Sequence, residues 1–279
     1  GKYSFVLKQL EGEKKDVLQT KTNGADGSIT FDPIPYGIED AGKTYLYSVS
    51  EELGSESGVT YDRTEYVVTV KVSDNGNGTL SVEKTIATKA ASTDSGKGEL
   101  VPVEKMLFHN EYKATGSLNL RAGKELDGKT LEEGAYSFQL KDKEGTVLQT
   151  KTNKADGSIT FDAIDYDLKD AGKEFTYTVE EVAGSEKGVT YDGSQYKVKA
   201  SVSDDGSGNL TVTTKITKDD KEVTAIIFRN TYEAAGSLEL TAKKELTGKK
   251  LEAGKYSFVL KELEGEKVLQ TKTNGADGS

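Results

Sequence analysis

The sequence contains no cysteine. This absence excludes disulfide bonds, thiolate metal sites and a cysteine nucleophile. Histidine is nearly absent as well, because His109 is the one histidine in the chain. A metal site built from several histidines is therefore excluded, and so is a histidine-based catalytic triad within residues 114–233.

The chain also has no excess of positive charge. Its 37 Lys and Arg residues are outnumbered by 47 Asp and Glu residues, and the formal net charge is -10. Phosphate binding needs a basic surface, so nucleic acid is not expected as a partner. No apolar run approaches the length of a membrane span, and no signal peptide is recognisable. We therefore expect no membrane span within these residues.

The composition predicts several small domains. Hydrophobic residues make up 34% of the 279 residues and charged residues 30%. Such a polar composition is typical of small domains that have a small hydrophobic core and a high ratio of surface to volume. Small modules of this kind usually need an additional crosslink to be stable.

Internal repetition is the main feature of the sequence. The segment at 18–36 reads LQTKTNGADGSITFDPIPY, and the segment at 148–166 reads LQTKTNKADGSITFDAIDY. The segment at 107–120 recurs in the same way at 227–240, with a shorter spacing that indicates an insertion within residues 87–105 of the first copy. The chain is therefore a tandem array.

A third copy begins near the end of the sequence, where residues 236–260 repeat residues 116–140. We predict a first repeat at 1–113 that lacks its opening strand, a complete repeat at 114–233, and the start of a third at 234–279. The pattern is that of a segment from a longer array of the same repeat.

Each repeat reads as strands and turns. Apolar and polar residues alternate in Val-, Ile-, Thr- and Tyr-rich segments such as 117–122, 136–140 and 196–202. Clusters rich in Asp, Asn and Gly at 74–79 and 204–209 are typical of hairpin turns and lack the terminal Glu of a calcium loop. We predict an all-β fold of tandem immunoglobulin-like β-sandwiches, joined by short junctions into an extended rod.

An amide between a lysine and an asparagine side chain could take the place of a disulfide. The reaction needs the two side chains on neighbouring strands and a carboxyl group facing both in an apolar pocket. Burial favours the neutral amine, which is the nucleophile, and the protonated acid, which can polarise the asparagine carbonyl.

The complete repeat offers one candidate of each kind: Lys124 at the end of the first strand, Glu181 and Asn230. Glu181 is favoured over Glu180 because Tyr177, Val179 and Glu181 share one face of a strand. In the last strand Asn230 shares a face with two aromatic residues, where an unpaired amide would cost about 1–3 kcal/mol. The partial repeats carry half-sets: Glu51 and Asn110 in the first, and Lys244, favoured over Lys243, in the third.

These residues stand in recognisable motifs. Residues 124–128 read KELDG, 156–161 read DGSITF, 177–181 read YTVEE and 228–232 read FRNTY. The pattern resembles the isopeptide-linkage domain (FctA-type, CnaB-like) of Gram-positive major pilins and related cell-wall-anchored surface proteins. The resemblance implies a Lys124–Asn230 amide, promoted by Glu181 with release of ammonia and without metal or cofactor.

Two functions are consistent with this sequence. The first is a structural stalk of an extracellular, cell-surface adhesin or pilus, which is not an enzyme and whose partners are further copies of the repeat or other pilus subunits. The second is an adhesive module that binds a host protein or glycan through its loops. The insertion near 89–103 is the place where the copies diverge most, so it is where such binding would be sought.

Overall fold

The computed structural model describes residues 1–11, 14–89 and 99–279. The first repeat contains β1 (Ser4–Glu11), β2 (Lys14–Thr22), a 3-10 turn (Ile38–Asp40), β3 (Thr44–Glu51), β4 (Val59–Thr60), β5 (Glu65–Asp74), β6 (Leu80–Lys89), β7 (Leu100–Val103) and β8 (Glu111–Tyr112). Most of the insertion that distinguishes this repeat, residues 90–98, lies outside the described residues.

The second repeat contains β9 (Thr115–Leu118), β10 (Arg121–Asp127), β11 (Ser137–Lys141), β12 (Val147–Thr152), β13 (Ser158–Thr160), β14 (Ile164–Asp167), a 3-10 turn (Leu168–Asp170), β15 (Glu174–Val182), β16 (Val189–Thr190), β17 (Gln195–Asp204), β18 (Leu210–Lys218), β19 (Lys221–Val223) and β20 (Ile227–Tyr232). The start of the third repeat contains β21 (Ser257–Lys261) and β22 (Val268–Thr273). Apart from the two 3-10 turns, the regular elements of the described residues are all strands, and the predicted all-β, tandem fold is confirmed.

Two sheets form the sandwich of the second repeat. The larger has the strand order β12-β11-β15-β17-β18-β19. The other has the order β13-β10-β20-β16, and β9 and β14 form a separate two-stranded sheet. Strand β10 runs antiparallel to β13 and parallel to β20, so the first and last long strands of the repeat are neighbours.

Alternation along the strands builds the core between these sheets. Every second residue of a strand points to the same face, and the inward residues are large and apolar. Phe138 and Phe228 come from opposite sheets and are fully buried, with ring centroids 5.1 Å apart. Their neighbours in the core include Leu118, Leu120, Leu140, Ile159, Val179 and Val198.

The strand prediction is wrong in two details. Residues 117–122 are not one strand, because the chain leaves β9 after Leu118 and starts β10 at Arg121. Lys124 therefore lies within β10 rather than at the end of a strand. The break lets β9 pair with β14 while β10 pairs with β13 and β20.

The first repeat reproduces the large sheet, with strand order β2-β1-β3-β5-β6-β7. Residues 28–36, the counterparts of β13 and β14, form no strand. In the second repeat those two strands pair with β10 and β9. Their side chains are correspondingly less buried in the first repeat, where Phe31, Ile34 and Tyr36 only partly cover the core.

The chain divides into two compact units, Gly1–Ser185 with Thr190–Thr231, and Glu186–Val189 with Tyr232–Ser279. The first unit contains the contact between the first and second repeats. There the Tyr112 hydroxyl donates to Asp204 Oδ1 at 2.8 Å and accepts from the Gly208 amide at 3.0 Å. The Thr115 amide adds a hydrogen bond to the Gly208 carbonyl at 3.2 Å.

The Asp/Asn/Gly clusters lie at the turns of the β5–β6 and β17–β18 hairpins. In the second of them Asp205 accepts from the backbone of Ser207 and Asn209 and from the Asn209 side chain. These are the local hydrogen bonds of an Asp-initiated turn.

Candidate functional site: a buried Lys–Glu–Asn cluster

Parallel pairing of β10 and β20 brings Lys124 and Asn230 close together. In the register of the two strands Lys124 stands opposite Phe228, and Leu126 stands opposite Asn230. The two polar side chains therefore come from adjacent strands of one sheet and are two positions apart in register. Both residues are buried.

Glu181 reaches the same place from the opposite sheet. It lies on β15, paired with Phe138 of β11. Lys124 Nζ donates to Glu181 Oε1 at 2.9 Å and to Oε2 at 2.8 Å, and Asn230 Nδ2 donates to Oε1 at 2.7 Å. The side chains of Lys124 and Glu181 have no exposed surface (0% each). The structure thus brings the three sequence-predicted residues of the complete repeat into one cluster.

The backbone amide of Asp192 determines how the Asn230 amide is oriented. It donates to Asn230 Oδ1 at 2.7 Å, while the Nδ2 group points to Glu181. A flipped side chain would set Nδ2 against this N–H donor. The expectation that the acid polarises the asparagine carbonyl is therefore not what the structure shows, because the carboxylate contacts the amide nitrogen and the carbonyl is held by Asp192.

Aromatic rings surround the cluster. Lys124 Nζ lies 4.6 Å from the centroid of the Tyr136 ring and 5.9 Å from that of Phe138. Phe228 closes the pocket next to Phe138 and makes an edge contact with Tyr196, with centroids 5.2 Å apart. These rings exclude water, so electrostatic interactions inside the pocket are stronger than at the surface.

Burial in this pocket lowers the pKa of Lys124 from its ordinary value of 10.5, and the hydrogen bond and charge of Glu181 oppose the shift. Burial disfavours the charged ammonium because it removes the hydration of the ion. Proton transfer from Lys124 to Glu181 would convert a buried ion pair into a neutral pair, which is the state that an apolar pocket favours. The arrangement therefore prepares an amine nucleophile beside an amide.

The first repeat contains the corresponding acid and amide. Asn110 Nδ2 donates to Glu51 Oε1 at 2.6 Å, and the Asp62 amide donates to Asn110 Oδ1 at 2.8 Å. Among the residues that the structure describes, the buried Glu51 Oε2 has no hydrogen-bond partner. This half-set therefore has the geometry of the complete cluster without its amine.

Lys244 lies in the unit that contains the third repeat. Its Nζ is 5.0 Å from the Tyr256 ring centroid, and its backbone amide donates to the Gly278 carbonyl at 2.7 Å. Lys124 makes the same two contacts with Tyr136 and Gly157. Lys244, not Lys243, is thus the counterpart of Lys124.

Sequence reasoning missed the part played by Asp192. From the sequence alone, residues 188–192 read as a loop leading into a strand, with no chemistry assigned. Its signal was visible as identity between copies, since GVTYD stands at both 58–62 and 188–192. The Asp192 carboxylate accepts from the amides of Arg229 and Ser194, which fixes the loop against β20.

Within residues 1–11, 14–89 and 99–279, no group of three or more His, Cys, Asp or Glu side chains is arranged to hold a metal ion. Over the same ranges no helix has both the length and the apolar character needed to cross a membrane.

The fold and the buried cluster define a protein of tandem β-sandwiches with a lysine, an acid and an asparagine in one apolar pocket. Residues 1–113 and 120–233 match the sequence profile of the Spy0128-like isopeptide containing domain (FctA). The chain belongs to this family. The resemblance inferred from the motifs is confirmed by this match.

Solved structures similar to this chain include three major pilins of Streptococcus pyogenes. One is 18% identical, with 82% of this chain and 90% of the pilin covered and a TM-score of 0.27. The T3.2 pilin is 20% identical, with 83% and 90% covered and a TM-score of 0.24. The T-13 pilin is 16% identical, with 83% and 89% covered and a TM-score of 0.25. A comparison with curated proteins finds no match.

Proposed function

We propose that the chain is a structural segment of a bacterial surface stalk, belonging to a pilus or an adhesin, and that its complete repeat is crosslinked by an amide between Lys124 and Asn230. The observation that carries the proposal is the buried cluster in which Glu181 accepts hydrogen bonds from both Lys124 Nζ and Asn230 Nδ2. The family to which the chain belongs supports it.

The proposed reaction begins with transfer of a proton from Lys124 to Glu181. The neutral amine then attacks Cγ of Asn230, forming a new C–N bond and placing negative charge on Oδ1. Glu181 returns its proton to Nδ2, the Cγ–Nδ2 bond breaks, and ammonia leaves. The proton remaining on the new amide nitrogen passes through Glu181 to the ammonia, so that ammonium departs and Glu181 is again a carboxylate.

Two contacts of the cluster suit this sequence of steps. Glu181 touches both the nitrogen that attacks and the nitrogen that leaves, so one carboxyl group can move the proton between them. The Asp192 amide, 2.7 Å from Oδ1, is placed to stabilise the charge that develops there. Glu181 is therefore assigned as the catalytic acid and base.

The crosslink would join the first and last long strands of the repeat, β10 and β20. A load applied to the two ends of the repeat would then pass through covalent bonds instead of separating the strands. Such a domain resists pulling and proteolysis, which suits the stalk of an extracellular, cell-wall-anchored parent protein. The reaction happens once and modifies the protein itself, so the chain is not an enzyme acting on other substrates.

The partners implied are further copies of the repeat and other pilus subunits. The alternative function is adhesion to a host protein or glycan, and its binding site was expected at the insertion in the first repeat. Most of that insertion lies outside the described residues. The described residues carry no observation that favours adhesion over the stalk.

The proposal is tested by the intact mass of the whole chain. We expect the monomer to be lighter than its sequence mass by one ammonia, about 17 Da, and tryptic mapping to recover Lys124 joined to Asn230. Asn230→Ala should abolish the loss, whereas the matched variant Asn110→Ala should keep it. Glu181→Gln should slow the loss about 10²-fold or more. A full-length mass without any loss would reject the crosslink.

A further inference from the structure

The second repeat contains a buried asparagine outside the reacting cluster. Asn153 directly follows β12 and is only 1% exposed. Its side-chain Oδ1 accepts from the Tyr136 amide at 2.9 Å, and Nδ2 donates to the carbonyls of Glu132 and Lys154 at 2.8 and 3.0 Å. Its backbone amide donates to the Tyr136 carbonyl at 3.3 Å, and its carbonyl accepts from the Gly134 amide at 2.8 Å. Asn153 therefore joins the segment before β11 to the turn after β12.

The segment before β11 carries the ring that lies beside the reacting amine. Asn153 binds both backbone polar groups of Tyr136, which fixes the direction in which the Tyr136 side chain leaves the backbone. The centroid of the Tyr136 ring lies 4.6 Å from Lys124 Nζ, and an aromatic face attracts an ammonium at this distance. Asn153 thus holds one wall of the pocket against the nucleophile.

The turn after β12 holds the backbone of the same lysine. The Lys154 carbonyl, which Asn153 Nδ2 contacts, also accepts from the Gly157 amide at 2.9 Å. The Gly157 carbonyl in turn accepts from the Lys124 amide at 2.7 Å. Gly157 has a φ of 83°, and a side-chain carbon there would lie 2.2 Å from the Lys124 carbonyl oxygen. The turn therefore packs closely against β10 at Lys124.

Lys124 is consequently held at both ends, its backbone by Gly157 and its amine by Tyr136 and Glu181. A long, flexible side chain loses rotamer freedom when it is ordered. An amine that is already ordered beside its electrophile reacts faster than one that must first be placed there. One buried carboxamide supports both of the contacts that Lys124 makes outside the reacting cluster.

The same arrangement occurs in the unit that contains the third repeat. The buried Asn274 accepts at Oδ1 from the Tyr256 amide at 2.9 Å, and its Nδ2 donates to the carbonyls of Glu252 and Gly275 at 3.0 and 2.9 Å. The amine of Lys244 lies 5.0 Å from the centroid of the Tyr256 ring. An asparagine, a tyrosine and a lysine are thus combined in the same way in two separate units of the chain.

The surroundings of the two buried asparagines of the second repeat distinguish their roles. Asn230 Nδ2 donates to the carboxyl group of Glu181, which can protonate the nitrogen as it leaves. Asn153 Nδ2 donates to two backbone carbonyls, which have no proton to give. Asn153 therefore keeps its carboxamide under the conditions in which Asn230 loses ammonia.

We propose, building on the crosslinking reaction above, that Asn153 is a positioning residue for the Lys124–Asn230 amide. It acts through the Tyr136 ring and through the turn at residues 154–157, which hold the amine and the backbone of Lys124 before the reaction. Asn153 touches none of the reacting atoms and neither gives nor accepts the transferred proton.

The rate of ammonia loss by the whole chain tests this role. Chain isolated in urea before it reacts is refolded, and its intact mass is measured at successive times while circular dichroism follows folding in the same samples. We expect Asn153→Ala to slow the loss from the folded chain by about 10- to 100-fold. Asn23→Ala is the matched control, because Asn23 makes the same bond to the Tyr3 amide in the first repeat. This variant should react at the parental rate.

A second control separates positioning from a loss of stability. Val202 is buried and lies on β17 about 20 Å along the strand from Tyr196, which borders the pocket. Val202→Ala should lower the urea midpoint of the second repeat, but its folded form should lose ammonia at the parental rate. If both variants slow the reaction in proportion to their loss of stability, the role of Asn153 is structural only and the inference is overturned.

The pH dependence of the rate is a readout that a loss of stability alone does not move. The rate should fall where the Lys124–Glu181 pair loses the proton that Glu181 gives to the leaving nitrogen. Burial lowers the pKa of Lys124, and the charges of Glu181 and Asp192 oppose this shift. A displaced Tyr136 ring admits water and reduces the effect of burial, so in Asn153→Ala the fall should move to higher pH. An unchanged position would contradict an action of Asn153 through the ring.

Tyr136→Leu provides a test if Asn153→Ala does not fold. It removes the ring but keeps the backbone groups to which Asn153 is bonded, and it should slow the loss and shift its pH dependence in the same direction. A parental rate in Tyr136→Leu would overturn the inference. A parent chain that folds without losing ammonia would instead reject the proposed function. If the parent loses ammonia and Asn153→Ala does so at the same rate, only the role of Asn153 is rejected.

Discussion

The first and second repeats hold an acid and an asparagine in almost the same geometry, but among the described residues only the second adds a lysine. The acid–amide distance is 2.6 Å between Glu51 and Asn110 and 2.7 Å between Glu181 and Asn230. In each repeat a backbone amide of the GVTYD segment holds the asparagine carbonyl. The sandwich therefore positions the acid and the asparagine without help from the lysine strand.

The lysine strand changes two other things. It supplies the second hydrogen-bond partner of the acid, which Glu51 Oε2 lacks among the described residues. It also provides the edge to which β13 and β14 pair, whereas the corresponding residues 28–36 form no strand. The comparison therefore separates two requirements of the site. Each repeat positions its asparagine, whereas burial of the site needs β10.

The largest expected effect comes from making the second site resemble the first. Lys124→Ala leaves Glu181 buried without its cation, which costs about 3–5 kcal/mol. It also removes a crosslink that closes a loop of roughly 100 residues, for which chain entropy alone predicts about 4.7 kcal/mol. We expect the free energy of unfolding of the second repeat, measured by urea denaturation with circular dichroism, to fall by about 5 kcal/mol or more.

Asn230→Ala separates these contributions because it removes the crosslink and keeps the Lys124–Glu181 pair. Asn110→Ala is the matched control and should leave the second repeat unchanged. Equal stability of Lys124→Ala and the parent chain would contradict the crosslink and the importance of the ion pair together.

The next effect concerns pH, because Lys124 gives the second site a titrating amine. Burial lowers the pKa of Lys124 below 10.5, so the neutral fraction rises with pH through that lowered value. The proposed steps need one proton shared between Lys124 and Glu181, so we expect the rate of ammonia loss to be level from neutral pH up to that pKa. Above it the rate should fall, because the pair no longer holds the proton that Glu181 gives to Nδ2. Intact mass at successive times after refolding of unreacted chain measures this rate.

The same pKa shift has a definite sign for stability. Between the lowered folded pKa and 10.5 the unfolded chain binds more protons at Lys124, so stability rises with pH across this window. The Asn230→Ala variant, which cannot react, should show this rise. A stability that falls as pH increases through the window would contradict the lowered pKa.

The smallest expected change in stability is that of Glu51→Gln, and its comparison with Glu181→Gln distinguishes the two acids. Glu51→Gln replaces a buried carboxylate that has one unpaired oxygen with a neutral amide, so we expect the first repeat to gain about 1 kcal/mol. Glu181→Gln removes the partner of the Lys124 ammonium and should destabilise the second repeat by about 3–5 kcal/mol. Urea denaturation of the two variants compares them. Effects of equal sign would contradict the distinction between the acids.

Much of the fold follows from local pattern. Period-two alternation identifies the strands, and the Asp/Asn/Gly clusters identify the hairpin turns, because both depend on neighbours in sequence. The break between β9 and β10 could not be predicted in this way. It depends on which strands lie beside residues 115–127, and those strands come from distant parts of the chain.

The sequence predicted which residues form the cluster but not which of their atoms are in contact. Alternation selected Glu181 over Glu180 and placed Asn230 on an aromatic face, and the structure has both residues buried. The contact of Asp192 with Asn230 was missed because a backbone amide makes it, so its trace in the sequence is the identity of GVTYD in two copies and not the strand alternation. The unpaired oxygen of Glu51 was missed because satisfaction of a buried atom depends on the surrounding fold.

The sequence by itself determined the repeat, the all-β class, the absence of disulfides and the three residue types of the cluster, since these depend on composition and period. Only the tertiary structure decided that Glu181 contacts the amide nitrogen of Asn230, that Asp192 holds its oxygen, and that Glu51 Oε2 has no partner among the described residues. Such contacts join residues many positions apart, and their distances are set by how two sheets pack rather than by the order of residues along one strand.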